Sequence, residues 1–269
     1  MVWAMAEERR SIELDVVVPG TPEEVWRAVA TGPGISSWYV PHTVEERAGG
    51  SAMASFGPGP DMQIPGRVAV WEPPRRVCFD GGEGVEGLAF EWTVEPRGDD
   101  RCVVRLVNTG FGQGGEWDAQ YDGMVEGWGL FLFNLKLHME HFAGQTAASV
   151  LPVGMWAGSR DEAWAVLTDA LGIQAAPATG ERIDVNAPKA PPLAGTVVDA
   201  ATWRIALLLD QPAPGTAFIT VESYGEHAGA SVWLYLYGAG GAEAAERDGP
   251  LWQNWLAEAL GGGADGSTE

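Results

Sequence analysis

His138 and His141 flank Met139 and Glu140 in a helical stretch, so a metal could use this pair only with a third donor from elsewhere. Zinc hydrolases favour histidines at i, i+4 with glutamate between them. The pair therefore reads as two solvated side chains at a helix end, and no metal is expected. Four carboxylates, Glu116, Asp118, Asp122 and Glu126, line the opening turns of the same stretch. A carboxyl facing an apolar cavity has its pKa raised into the range of a general acid or base, and Asp122, beside the apolar stripe, is the one named for this role. A solvated acidic face, favoured by the positive end of the helix dipole, is the competing reading. His42, directly after Trp38-Tyr39-Val40-Pro41, titrates near neutrality and is the second candidate to carry a proton, against plain exposure at the start of a loop.

Recognition without chemistry has its own candidates. Asn108 continues the alternating set Cys102, Val104 and Leu106, and an amide buried on that face demands a hydrogen-bond partner. Trp38, Phe90, Trp92, Tyr121 and Trp128 form an aromatic set suited to the walls of a ligand site, with core packing as the alternative for each ring. Other chemistries lack their residues. Ser36 and Ser37 have no GxSxG elbow, and the glycine clusters match neither GxxxxGK[ST] nor a strand-to-helix GxGxxG. No cofactor is expected. Cys78 and Cys102 stand apart from any CxxC and read as small core residues of a reduced compartment.

Charge narrows the partners. The chain of 269 residues has 16 Lys and Arg against 37 Asp and Glu, with the acidic surplus shared by both halves. Such a field repels phosphate backbones and anionic lipid surfaces, which argues against nucleic acid and membrane as partners. No window approaches the ~18 uncharged apolar residues of a membrane helix, and the opening MVWAMAEERRS lacks the pattern of a secretion signal, so a cytoplasmic location is expected.

Ile12, Leu14, Val16 and Val18 alternate with polar or outward residues as in a half-buried strand. Thr21 then caps a helix with Pro22 at its first position and Glu23 and Glu24 in its first turn. Gly32-Pro33-Gly34 reads as its stop, and Ile35 to Tyr39 as one further short helical turn. From Val40 to Asn108, glycine and proline pairs divide short apolar runs into an antiparallel meander, with clean alternation in Leu88 to Val94 and Cys102 to Asn108. Glu116 to Phe142 then repeats apolar residues at threes and fours, a helix of ~40 Å that can lie across the greasy face of the sheet. Gly123, Gly127 and Gly129 interrupt it, for flexibility or for close packing.

The helix start GTPEEVW at 20–26 returns as GSRDEAW at 158–164, and GLAFEWTVE at 87–95 is echoed by GTAFITVE at 215–222. The expected organisation is two domains, 1–145 and 146–269, the second an abbreviated copy. In it a Pro and Ala-rich stretch, 175–194, replaces strands, Ser231 to Gly238 is the last strand, and Leu251 to Leu260 is a short closing helix.

The order strand, helix, short helix, meander, long helix is similar to the helix-grip domain of the START-like (Bet v 1-like) superfamily. More narrowly, Trp38-Tyr39, Gly49-Gly50, GRVAVWEPPRRVCF at 66–79 and LAFEWTVEP at 88–96 resemble the bacterial family named after the C-terminal domain of the Hsp90 ATPase activator, over residues 11–143. The resemblance implies an α+β fold with a curved antiparallel sheet wrapped on a long C-terminal helix, followed here by the shortened copy. It also implies a cavity between sheet and helix, where relatives hold lipids, polyketides or other apolar molecules. Superfamily members are carriers, cyclases and dehydratases, or regulators, and the fold does not choose among them. The expected function is binding of a small apolar or aromatic molecule by Trp38, Phe90, Trp92, Asn108, Tyr121 and Trp128. One alternative is a cyclase or dehydratase using Asp122 or His42; another, on the family name, is regulation of a chaperone ATPase. A homodimer is left open.

Overall fold

Alternation along Arg10–Pro19 makes strand β1, with Ile12 and Val18 buried and Glu13 and Asp15 exposed. The computed structural model describes residues 10–57, 59–82, 87–112 and 114–261, apart from the side chains of Glu116, Ala119 and Tyr224. The chain divides into two units, Met1–Gly144 and Gln145–Glu269.

In the first unit the chain leaves β1 through Gly20, at φ +122, and enters α1 (Pro22–Ala30) behind a capping box. Thr21 Oγ1 accepts from the Glu24 backbone N–H at 3.3 Å, and the Glu24 carboxylate accepts from the Thr21 N–H at 2.9 Å, so two helix-end donors are satisfied at once. Val25, Trp26 and Val29 form its buried face. The glycines read as a stop are themselves the next helix, α2 (Gly32–Ile35), capped by Thr31 accepting from Gly34 N–H at 3.1 Å. A Cβ on Gly34 would lie 1.9 Å from the Arg27 carbonyl oxygen. This glycine therefore permits the close approach of α2 to α1 rather than simply breaking a helix.

The meander follows as β2 (His42–Val44), β3 (Ser51–Ser55), a 3-10 turn at Pro60–Met62, β4 (Gln63–Glu72), β5 (Arg76–Asp80), β6 (Ala89–Pro96) and β7 (Arg101–Phe111). All pairings are antiparallel, in the order β1-β7-β6-β5-β4-β3-β2. Helix α3 (Gly115–His141) closes the unit, burying Trp128, Leu132, Leu135 and Met139. This is the helix-grip arrangement.

The second unit repeats the plan with fewer parts. Strands β8 (Ala147–Val150) and β9 (Val153–Trp156) both pair with β14 (His227–Tyr237), as one strand interrupted at Leu151-Pro152. Helix α4 (Arg160–Leu171) has the same capping box, with Ser159 and Glu162. Then come β10 (Arg182–Val185), β11 (Leu193–Ala201), β12 (Arg204–Gln211), β13 (Gly215–Tyr224), β14 and helix α5 (Gly238–Leu260). The sheet order β10-β11-β12-β13-β14-β8 matches that of the first unit, with no counterpart of α2 and β2 among the described residues. Its core holds Trp164, Leu207, Ile219, Val232, Trp252 and Leu256.

Three expectations need correction. The closing helix is not short: it begins at Gly238, passes through Pro250 and spans 23 residues. Glycine and proline there read as breakers, yet Gly241 lies against the Leu236 backbone, 2.7 Å from where its Cβ would be, and Ala244 is buried, so packing holds the helix together. The Pro and Ala-rich stretch contains a strand, β10. Finally, His138 is not solvated. Only 2% of it is exposed, and burial pushes its imidazole down to about 4, so it is neutral in the folded protein; His141 is exposed.

Gly123, Gly127 and Gly129 have open space where a Cβ would sit, which removes close packing as their explanation and leaves a helix of low intrinsic stability. Gly127→Ala and Gly129→Ala should each raise the unfolding free energy by ~0.5–1 kcal/mol in urea titrations. An imidazole whose pKa drops on folding contributes stability above its unfolded value, and that contribution is lost as pH falls. For His138 the window runs from 6.5 down to about 4. Urea titrations across it should show a loss of up to ~3 kcal/mol from this residue, and His138→Gln should flatten that part of the profile.

Candidate functional site

The turn between α2 and β2 places Trp38 in the interior, 0% exposed. Its indole N–H donates to the Ala28 carbonyl at 2.9 Å, and its own carbonyl accepts from Asn134 Nδ2 on α3 at the same distance. Around it the rings meet mostly edge to face. Trp38 lies 5.5 Å from Trp92 on β6; Trp92 lies 5.4 Å from Trp128 on α3; Phe90 lies 5.5 Å from Trp128. Tyr39 is in ring contact with both Trp128 (5.0 Å) and Phe131 (4.4 Å). Contacts of this geometry contribute ~0.5–1.5 kcal/mol each beyond the area they bury.

Asn108 is the polar member. It is 0% exposed on β7, opposite Phe90 and Ile12 in register. Its Nδ2 donates to the Ala89 carbonyl at 3.1 Å, and its Oδ1 accepts from the Trp128 indole N–H at 3.2 Å. The partner is thus both backbone and side chain, and the amide ties the sheet to the helix.

Five of the six residues named from the sequence for ligand contact, Trp38, Phe90, Trp92, Asn108 and Trp128, come together here. Tyr121 does not join them: its hydroxyl donates to the Ser11 carbonyl at 3.1 Å, its ring packs on Phe111 at 5.2 Å, and the Arg10 guanidinium lies over it at 4.5 Å. Two helical turns from Trp128, it is spent on fastening α3 to β1 and β7. Asp122 is exposed, and Asp118 pairs with Arg10 at 2.9 Å. Glu116's side chain lies outside the described residues.

Sequence reasoning missed Tyr39, Phe131 and Phe56. Phe131 follows Trp128 by three residues, a spacing that signals a shared helix face. Tyr39 was visible beside Trp38. Nothing around Phe56, in a glycine and proline-rich connection, pointed inward; it is 40% exposed with its ring 6.1 Å from Tyr39. Met62 on the same β3–β4 connection and Ile64 at the start of β4 are also exposed, giving that side an apolar surface.

His42 lies half-buried on β2, its ring 5.4 Å from Tyr39. Its Nδ1 is 2.8 Å from the Val40 carbonyl. A carbonyl can only accept, so Nδ1 carries the proton and Nε2 presents a bare lone pair. Burial lowers its pKa, opposed by that hydrogen bond, and the ring is neutral at pH 7. Burial also raises the Tyr39 phenol above its ordinary range. Cys78, its thiol pushed up to about 11 by burial, and Cys102 are free thiols. Among the described residues no group of three His, Cys, Asp or Glu could hold a metal, and no helix is long and apolar enough to cross a membrane. The cluster can offer apolar contact, a bare imidazole nitrogen and a phenol. Truncating the amide tests its linking role: Asn108→Ala should cost ~2–4 kcal/mol by leaving the Trp128 N–H and the Ala89 carbonyl without it, measured by chemical denaturation followed by tryptophan fluorescence.

Among solved structures, the chain is similar to protein MLL2253 from Mesorhizobium loti, with 17% identity and a TM-score of 0.42 over 49% of this chain and 98% of that one. It is similar to the Aha1 dimer from Colwellia psychrerythraea, with 20% identity and a TM-score of 0.40 over 49% and 97%. It is also similar to the di-domain ARO/CYC BexL from the BE-7585A biosynthetic pathway, with 16% identity and a TM-score of 0.44 over 96% and 100%. No curated protein matches the chain. Residues 19–140, from the end of β1 to the last turn of α3, match the family model described as Activator of Hsp90 ATPase homolog 1-like protein. With the sheet order, the gripped helix and this match in agreement, the N-terminal unit belongs to the Activator of Hsp90 ATPase homolog 1-like family.

Proposed function

We propose that the N-terminal unit binds a small apolar or aromatic molecule against the ring cluster beneath α3, with residues 146–269 acting as a partner domain. The observation that carries this reading is the gradient within the cluster. Trp38, Trp92 and Trp128 are at most 4% exposed, whereas Tyr39 is half-buried and Phe56 is 40% exposed. The inner rings occupy each other's edges, so the ligand's place is on the Tyr39 and Phe56 side. Trp128 and Phe131, which contact Tyr39, lie on a helix whose intrinsic stability Gly123, Gly127 and Gly129 lower. Aromatic walls with few polar groups are the usual make-up of small-molecule sites.

A second reading, proton transfer of the cyclase or dehydratase kind, is supported by His42 alone: its fixed tautomer leaves Nε2 as a base beside the same rings. Asp122, on the exposed side of α3, has no support from its position.

N-phenyl-1-naphthylamine, a neutral apolar fluorophore, is the probe of choice. Titration into the full chain should give saturable one-to-one binding with quenched tryptophan emission, and Phe56→Ser, a change at an exposed position, should weaken it several-fold. Binding that never saturates would sink the reading.

A further inference from the structure

Two polar atoms stand out in the apolar rim of the site. The Tyr39 hydroxyl and His42 Nε2 have no hydrogen-bond partner among the described residues. Their rings lie 5.4 Å apart at an interplanar angle of 36°, and Tyr39 in turn contacts Trp128, Phe131 and Phe56. His42 is held in place twice: Nδ1 by the Val40 carbonyl, and its backbone N–H, which donates to Ser36 Oγ at 2.8 Å. Its bare nitrogen is therefore presented in a defined place rather than sweeping through solvent.

The two atoms are complementary in kind. A phenol can donate; an imidazole nitrogen whose partner nitrogen carries the proton can only accept. An apolar ligand lying over these rings would strip water from both and leave them unpaired, which disfavours binding. A carboxylate could accept from Tyr39 but has nothing to donate to Nε2, and the field of a chain with formal net charge -21 opposes it. A hydroxyl does both, donating to Nε2 and accepting from Tyr39.

We propose that Tyr39 and His42 together recognise a hydroxyl group carried on the ring of the bound molecule, so that the site selects phenols over hydrocarbons of the same shape. The inference rests on the binding function above and adds the chemical class of the ligand. Neither residue is asked to react; they orient the ligand and set specificity.

The experiment compares 2-naphthol with 2-methylnaphthalene, which swaps the hydroxyl for a methyl group of similar size, by tryptophan fluorescence and calorimetry on the full chain at pH 7. The wild type should bind the naphthol about tenfold more tightly or better. His42→Phe and Tyr39→Phe should each bring the ratio close to one while 2-methylnaphthalene affinity stays within about threefold, a pattern that lost packing alone would not produce. His42→Gln, which keeps an acceptor, should restore part of the preference. Equal binding of both compounds by the wild type, or a ratio unchanged in both phenylalanine variants, overturns the proposal and leaves apolar binding intact. If neither compound binds, the binding function itself fails, and this inference with it.

Discussion

The hydrogen bond from the Trp128 indole to Asn108 Oδ1 is the join on which the first unit turns. Helix α3 satisfies its backbone bonds within itself and strand β7 satisfies its own through β1 and β6, and apolar contact between helix and sheet is non-directional. A buried amide adds direction: only one register of the helix over the sheet brings the indole N–H to Oδ1 while Nδ2 reaches the Ala89 carbonyl. The low local dielectric that strengthens this network also makes any other register costly, since it would leave buried polar atoms unpaired. With Trp128 held, the positions of Trp92, Phe90, Tyr39 and Phe131 follow from ring contact.

The electrical character of the site follows from where charge is kept. On strands β4 to β6 the ions pair across neighbouring strands, as in Arg67 with Asp80 and Arg76 with Glu91, on side chains that stay partly in water. Asp118 and Asp122 lie on the exposed side of α3. The ionisable groups turned toward the rings are those that burial keeps neutral, the His42 imidazole and the Tyr39 phenol. An interior built in this way suits the proposed uncharged, planar ligand and gives proton chemistry one candidate base. Among the described residues of the first unit, no acidic side chain is buried.

The two units share a strand order and a capping box but differ at the region that makes the site. The first unit inserts α2 and β2 between its opening helix and the meander, and Trp38, Tyr39 and His42 all come from that insertion. The second unit has no described counterpart, and Trp164, Trp252 and Leu207 join its core cluster. The connection from α1 to β3 has 20 residues where that from α4 to β10 has 10, and this difference separates a unit with a half-open aromatic rim from one whose Trp164 and Trp252 lie in its core.

What the amino-acid sequence determined by itself was everything set by short-range rules. The alternation in β1 and β7, the helix cap at Thr21, the repeated helix start at 158–164 and the apolar spacing of α3 depend on neighbours within a few residues, and each was legible. Asn108 was legible as inward because strand alternation leaves one choice of face. Tertiary structure decided the rest. The stripe on α3 makes Tyr121 and Trp128 equivalent on the helix surface, but the crossing of α3 over the sheet sends one to the Ser11 carbonyl and the other into the ring cluster. Spacing likewise could not tell that His138 is buried while His141 is exposed, or that Gly241 and Pro250 lie within a helix. Propensity measures the cost of a residue in an isolated element; packing against distant strands, which no local window contains, determines whether that cost is met.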